Sequence, residues 1–401
     1  TLLSWAEVKT RDGAPRLYAA GCLAQRHGAE LLDAIPELDG VAGVGRFEQI
    51  VKLVASGAPR ANRVQPEPLV EIHSPLPRRR AGTVPYAFLK IADGCNHACS
   101  FCSIPLMKGP LRSVPRAILL EEAATLLDSG VRELVLVAQD ISVYGRDLGD
   151  AHGLPALLRE LCAFPGDFWI RCMYCYPAGI SRELLDVMAE EPKIVPYIDV
   201  PLQHFDADLL RHMRRPSSNL SPHRLVARLR QALPGIAIRT TMIVGLPGET
   251  PAQHRRMLEG IRELRFDWLG AFSYSREPGT PAAEAPRQVG ARVRLKRWEA
   301  VMAAQAEIAE EKSRARIGGV ERVLVEGYDP DRGLWFGRSG REAPEVDGTV
   351  LLQAGTALEP GHFVSAKIIG AETYDALAQV LEAPATNAQV CTGNAEGKDG
   401  A

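Results

Sequence analysis

The sequence predicts an α/β protein built around a core of repeated βα units, with a smaller α/β segment before it and a small β-barrel after it. Three observations carry this prediction. Strand-like and helix-like patterns alternate from Tyr86 to about Arg314. Within that stretch Leu134–Ala138 is an unbroken apolar run, as a parallel strand buried on both faces requires. After Gly319 the pattern changes to short alternating strands separated by Gly and Asp turns. At 401 residues the chain has room for two or three domains and a large buried core.

Residues 1–54 read as a partial α/β domain. A strand around Leu17–Ala20 runs into Gly21-Cys22, a helix spans Gln25–Ala34, and a second strand covers Val41–Val44. Residues 55–85 lose periodicity and gain Pro75, Pro77 and Arg78-Arg79-Arg80, which marks a linker. In the core, 86–315, Ser221-Pro222 places an N-cap before an N1 proline, and Pro234-Gly235 stops that helix. The strand Ile236–Val244 follows. Gly245-Leu-Pro-Gly-Glu249 then turns into a helix that Thr250, Pro251 and Gln253 start with capping-box spacing. Repeated units of this kind make a parallel sheet with outer helices, either open or closed into a barrel. A long charged helix, roughly Gln288–Arg316, ends the region. The barrel, 316–383, shows strands at Val323–Glu326, Leu334–Gly337, Thr349–Leu352 and Phe363–Ile369, and 384–401 is a small polar stretch expected to be a disordered tail.

Charge and apolarity exclude several function classes. Lys and Arg total 47 against 49 Asp and Glu, a formal charge of −2, so nothing draws the whole chain to nucleic acid or membrane. No apolar run approaches the ~20 residues of a membrane span, and the N-terminus lacks the parts of a signal peptide. A cytoplasmic location is expected. The chain starts at Thr1 without an initiator Met, as a fragment or processed product would. Eight cysteines in a chain of this length are no disulfide scaffold, and in a reducing compartment clustered cysteines point to metal or catalysis.

The decisive stretch is Asp93-Gly-Cys95-Asn-His-Ala-Cys99-Ser-Phe-Cys102-Ser-Ile-Pro105. It follows the strand Ala87–Ala92, at the strand end where parallel βα folds place their chemistry. Gly94 permits a sharp turn. Cys95, Cys99 and Cys102, four and three apart, can wrap one corner of a cuboidal [4Fe–4S] cluster. Such clusters ordinarily take four cysteines. Three leave one iron open to the amino and carboxylate groups of a methionine-like ligand, whose sulfonium C–S bond an electron from the cluster could break. A structural zinc site would need a fourth ligand in tetrahedral geometry. His97 is too near in sequence to supply it easily, and no second CxxC lies nearby. Cys172 and Cys175 sit in an apolar strand and read as core packing. Cys162 and Cys391 have no partner.

The CxxxCxxC spacing with Phe101 before its last cysteine resembles the radical-SAM superfamily. Within it the chain resembles the methylthiotransferases from end to end, apart from a missing N-terminus. Gly21-Cys22-Leu-Ala-Gln-Arg26 resembles the motif that holds the third cysteine of that family's N-terminal domain. Ile243-Val-Gly245-Leu-Pro-Gly248-Glu249-Thr is similar to its strand-five SAM-contacting motif, and the C-terminal barrel resembles a TRAM domain. Val137-Ala-Gln139-Asp140-Ile-Ser-Val-Tyr-Gly145, Cys102-Ser-Ile-Pro105, Leu111-Arg-Ser113, Phe272-Ser-Tyr-Ser275 and Glu342-Ala-Pro-Glu-Val-Asp-Gly348 resemble the branch that modifies ribosomal protein uS12 rather than tRNA.

The resemblance implies a partial (β/α)-barrel core, a radical-SAM [4Fe–4S] cluster on Cys95, Cys99 and Cys102, a second, auxiliary cluster in the full-length protein, and S-adenosyl-L-methionine (SAM). One SAM methylates a sulfur at the auxiliary cluster; the second gives a 5′-deoxyadenosyl radical that abstracts a β-hydrogen from an aspartate of uS12. Gln139, Asp140, Gly245, Gly248 and Glu249 are implied to contact SAM, although the glycines serve equally as turn punctuation. Gln203-His204 stands at another strand end, facing the cavity or forming a satisfied polar pair. Cys22 is implied to be a ligand of the auxiliary cluster. The segment carrying its two partner cysteines would precede Thr1, so this chain is expected to cleave SAM without completing methylthio transfer. The implied partners are uS12 on the small ribosomal subunit and an electron donor, with no membrane and no nucleic acid as direct substrate. Charge agrees: from Arg316 to Ala376 ten acids face six bases, a difference of −4, where an RNA-gripping module would show a basic stripe. The alternatives are a tRNA methylthiotransferase and a ribosome-docking protein without full activity.

Overall fold

The computed structural model describes residues 2–9, 15–45, 47–57, 59–65, 82–215 and 221–382. The expected tail 384–401, Cys391 and the Pro/Arg-rich part of the linker lie outside the described residues.

The N-terminal segment is a three-stranded parallel sheet of β1 (Tyr18–Ala20), β2 (Gly40–Ala42) and β3 (Ala61–Arg63), with helices α1 (Leu2–Lys9), α2 (Cys22–Ala34) and α3 (Phe47–Ser56). The strand Ala61–Arg63 falls inside the stretch expected to be linker, paired in register with Gly40–Ala42. Its sequence, Ala-Asn-Arg, has no apolar alternation that would have marked it.

The core is one six-stranded, wholly parallel sheet: β4 (Tyr86–Lys90), β7 (Glu133–Val137), β8 (Trp169–Cys172), β9 (Ile194–Asp199), β10 (Ala237–Val244) and β11 (Trp268–Ser273), adjacent in that order. The two-residue strands β5 (Ala92–Asp93) and β6 (Arg112–Ser113) form a separate antiparallel pair. Each crossover adds the next strand on the same side, and β4 and β11 do not pair with each other. The sheet is therefore an open, partial (β/α)-barrel.

Strand alternation sorts its two faces. Leu89, Leu134, Leu136, Ile170, Cys172, Ile198, Ile238 and Met242 point outward into the main apolar core. There they meet helices α5 (Arg116–Asp128), α6 (Gly153–Cys162), α7 (Arg182–Glu190), α9 (Pro222–Ala232), α10 (Pro251–Leu264) and α12 (Ala291–Ala315). Short helices α4 (Ile104–Lys108), α8 (Ala207–His212) and α11 (Pro281–Glu284) lie in the loops between. Cys172 and Cys175 are both fully buried in this core, and burial pushes the Cys172 thiol up to about 12.

The C-terminal strands β12 (Val320–Asp329), β13 (Leu334–Ser339), β14 (Val350–Gln353), β15 (Phe363–Ala371) and β16 (Ala376–Glu382) close into a barrel in the order β12-β13-β14-β16-β15. The last of these, which closes the barrel, has only Ala376 and Ala378 as fully inward residues and so shows little hydrophobic pattern. The barrel covers the inner face of the sheet. Leu324 and Ala343 pack against Val135, Trp169, Met173, Val195, Tyr197 and Ala237.

A buried ionic network ties the two together. Arg171 Nε donates to Glu133 Oε1 (2.6 Å), and Arg338 Nη2 of the barrel donates to Glu133 Oε2 (2.5 Å) and pairs with Glu326. Arg171 also reaches the carbonyls of Ser339 and Gly340. With the barrel filling the inner face toward the strand starts, the open space left lies at the strand C-termini.

Candidate active site

The cysteine loop begins where β5 ends and returns at β6, so one short antiparallel ladder holds its two ends together. Gly94 has φ +75°. A Cβ there would stand 2.0 Å from the Pro110 carbonyl oxygen, which only glycine avoids. Asp93 is buried beneath the loop and pairs with Lys90 and Lys108, each at 3.1 Å; burial opposes its ionisation, but the two ammonium groups hold its carboxyl below the usual range. Asn96 Oδ1 accepts from Leu111 N (2.9 Å), and Cys95 N donates to the Gly109 carbonyl (3.1 Å). Ser100 N donates to Met213 O, and Ala282 N to Ser100 O, pinning the loop between α8 and α11.

Cys95, Cys99 and Cys102 line one cavity of about 390 Å³ together with His97, Phe101, Gln139, Tyr174, Tyr176, Gln203 and Arg215. Its walls come from the ends of β7, β8 and β9, the side where parallel βα folds place their chemistry. Each sulfur accepts one N–H: His97 N on Cys95 (3.4 Å), Ile104 N on Cys102 (3.5 Å) and Arg215 Nη1 on Cys99 (3.5 Å). Burial pushes the Cys95 thiol up to about 11 and raises Cys102, so these sulfurs become anions at neutral pH only with a cation to hold.

The donor set fits a multi-iron body better than one ion. Among the described residues no three His, Cys, Asp or Glu groups converge tightly enough to hold a single metal ion, while three sulfurs share one wall of a roomy cavity. Two buried carboxamide oxygens in the wall, Gln139 Oε1 and Gln203 Oε1, accept no hydrogen bond, which leaves them open to N–H groups of a ligand.

Other residues that the sequence singles out stand outside this lining. Asp140 is behind the wall: it accepts from His97 Nε2 (2.7 Å), Ser142 N (2.9 Å) and Tyr176 N (3.2 Å) and so fixes the His97 ring, which stacks 3.8 Å from Tyr176. Gly245, Gly248 and Glu249 do not line the cavity. Glu249 is buried in its own ionic cluster, accepting from Gly245 N and pairing with Arg297 (3.1 Å). Gln203 lies on the cavity, held at φ +71° between Thr241 O and Ile243 N, whereas His204 turns away with Nδ1 accepting from Asp206 N. Cys22 starts α2, outside the cavity lining; α2 packs against α4, and Arg26 reaches Glu277 (2.7 Å) across the same interface. Tyr174, Tyr176 and Arg215 are cavity residues that no sequence motif marked.

The barrel's acidity needs correction. Glu321, Glu326, Glu342 and Asp347 are engaged by Arg316, Arg338 and Arg239 at the interface with the sheet, so they are not a solvated face. Of the ten acids, six remain (10 − 4). Of the six bases, Arg316, Arg322, Arg338 and Arg341 are likewise engaged, leaving two, so an excess of −4 still faces outward.

Known proteins match this architecture. The Radical SAM superfamily model matches residues 89–261 and the TRAM domain model residues 317–381. The chain is 45% identical over 368 residues to the ribosomal protein uS12 methylthiotransferase RimO of Desulforudis audaxviator, covering 91% of this chain and 81% of that one. It is 42% identical to the protein of the same name from Geobacter sulfurreducens, covering 95% and 86%. Among solved structures it resembles the radical S-adenosylmethionine methyltransferase TsrM of Kitasatospora setae, with a TM-score of 0.55 at 20% identity over 80% of this chain and 65% of that one, a likeness of fold. The cysteine loop at the sheet's open end, the barrel on its inner face and identity above 40% across nine-tenths of the chain show that it belongs to the RimO family of radical-SAM methylthiotransferases.

Proposed function

We propose that this protein transfers a methylthio group to the β-carbon of an aspartate of ribosomal protein uS12, with a [4Fe–4S] cluster on Cys95, Cys99 and Cys102 and with SAM as co-substrate. The observation that carries this is the three sulfurs on one cavity wall, each accepting one N–H, in a chain more than 40% identical to proteins named for that reaction. When bound, the cluster supplies the electron that cleaves SAM reductively.

This chain's residues do the rest. The thiolates of Cys95, Cys99 and Cys102 would hold the cluster against the cavity, three ligands where four are usual. Asp140 orients His97 against Tyr176, which stiffens the wall beside Cys95. Gln139 and Gln203 offer unpaired acceptors to the amino groups of SAM. Phe101, Tyr174 and Tyr176 keep water from a reactive carbon radical. Residues 86–315 then act as the radical-SAM core and 316–383 as the TRAM-like barrel, and the outward acidic excess suits a basic ribosomal protein. Cys22 at the start of α2 would be one ligand of the auxiliary cluster, which would supply the sulfur. The reaction takes place in the cytoplasm, where the small ribosomal subunit and an electron donor are available; among the described residues no helix is long and apolar enough to cross a membrane.

Anaerobic incubation of the protein, with both clusters assembled, with SAM, a reductant and a uS12 peptide, followed by mass spectrometry, tests the assignment. A methylthio group in place of one hydrogen on the aspartate is expected. An unmodified peptide beside methylthiolated tRNA in a parallel reaction would contradict it.

A further inference from the structure

Among the described residues, Arg215 is the one charged group on the cavity wall whose role the chemistry above leaves open. It follows α8 and is 9% exposed. Its Nη1 donates to Cys99 Sγ at 3.5 Å and its Nη2 to the Pro201 carbonyl at 2.7 Å. The guanidinium carbon stands 4.3 Å from the centroid of the Tyr176 ring, whose other contact is the stacked His97. Among the described residues no carboxylate pairs with it. A buried cation without a counter-anion is costly, and the group it faces is a sulfur that is neutral as a thiol and negative as a cluster ligand. The N–H groups on Cys95 and Cys102 are neutral backbone donors from within the loop. Arg215 alone brings a full charge, from a separate element.

We propose that Arg215 is a positioning residue that supplies the buried counter-charge of the cluster on Cys95, Cys99 and Cys102 and thereby raises its reduction potential. This rests on the cluster assignment above. Reduction adds one electron, taken from the external donor, and breaks no bond in the protein; the cluster becomes more negative by one charge. A fixed guanidinium beside one sulfur favours that reduced form, because potential follows net charge and hydrogen bonding at the sulfurs. The Tyr176 face holds the guanidinium plane so that its charge stays directed at Cys99.

The test uses the full chain, anaerobically reconstituted, as wild type, Arg215→Gln and Arg215→Lys. Iron per chain is measured first, then the midpoint potential in a dithionite titration followed by electron paramagnetic resonance. Gln keeps a donor and loses the charge; Lys keeps the charge and loses the stacked plane. Arg215→Gln is expected to lower the reduced-to-oxidised ratio at a fixed solution potential about tenfold, or ~59 mV for one electron, while Arg215→Lys stays close to wild type. A wild-type potential in Arg215→Gln overturns the proposal, as does a fall in Arg215→Lys equal to that in Arg215→Gln. If Arg215→Gln loads no iron, Arg215→Lys decides: a wild-type potential supports the counter-charge and a tenfold loss of the ratio overturns it. Weaker SAM binding at unchanged potential would assign the guanidinium to the carboxylate of SAM instead, and also overturns it. Failure of the cluster assignment looks different, since the unsubstituted chain would then bind no iron that depends on Cys95, Cys99 and Cys102.

Discussion

Gly94 sets the direction in which the cysteine loop leaves the sheet, and it has no tolerant substitute. Gly94→Ala must move the Pro110 carbonyl or abandon φ +75°; a destabilisation of about 1–3 kcal/mol in denaturant titration is expected, with reduced iron loading. Asp206 acts at the same scale from outside the site. It caps α8 through Leu209 N (3.1 Å) and accepts from Gln253 Nε2 (2.8 Å) and Arg256 of α10. Burial opposes its ionisation, but these donors outweigh it and bring its carboxyl down to about 2. A depressed carboxyl stabilises the fold fully above its unfolded value of about 3.9 and loses that contribution as pH falls through about 2. Asp206→Asn should flatten the acid limb of a stability–pH curve in that window; an unchanged limb would contradict the role. The three cysteines were legible because their spacing is local. Tyr176 and Arg215 were not, because each comes from a different loop and only the fold brings them together. Glu249, which its motif marks, lies outside the cavity lining and pairs with Arg297.

Among elements, those with local chemistry were readable from sequence. Thr250 and Gln253 form the expected capping box at the start of α10, so Thr250→Ala should cost about 1 kcal/mol, measurable by thermal or chemical unfolding. Parallel strands with continuous apolar runs were equally plain. The strands Ala61–Arg63 and Ala376–Glu382 were missed, since one is polar and short and the other turns only alanines fully inward; tertiary pairing makes them strands. The contact between sheet and barrel was also hidden, because Glu133, Arg171 and Arg338 lie far apart in sequence and no local pattern joins them. All three are buried. Glu133→Gln leaves buried Arg171 without a carboxylate and Arg338 with Glu326 alone, and should cost about 3–5 kcal/mol. A cost below about 1 kcal/mol would mean that the network relaxes into solvent, as a surface pair does.

At the scale of the molecule, the order of parts explains where chemistry can occur. Helices cover the outer face of the open sheet, the barrel seals the inner face toward the strand starts, and the remaining opening lies at the strand ends beside the cysteine loop. The fold class was legible from alternation and its change after Gly319. The partnership of barrel and sheet was not, and it altered the electrostatics by engaging four acids and four bases of the barrel in ion pairs. The central claim is that Cys95, Cys99 and Cys102 together hold the cluster that cleaves SAM. It is tested most directly by reconstituting the wild-type chain and the Cys95→Ala/Cys99→Ala/Cys102→Ala chain, counting iron per chain, and measuring 5′-deoxyadenosine formed from SAM under reductant. The wild type should exceed the variant by about four irons, one four-iron cluster, and the variant should form no 5′-deoxyadenosine. Equal iron and equal 5′-deoxyadenosine in the two chains would contradict it.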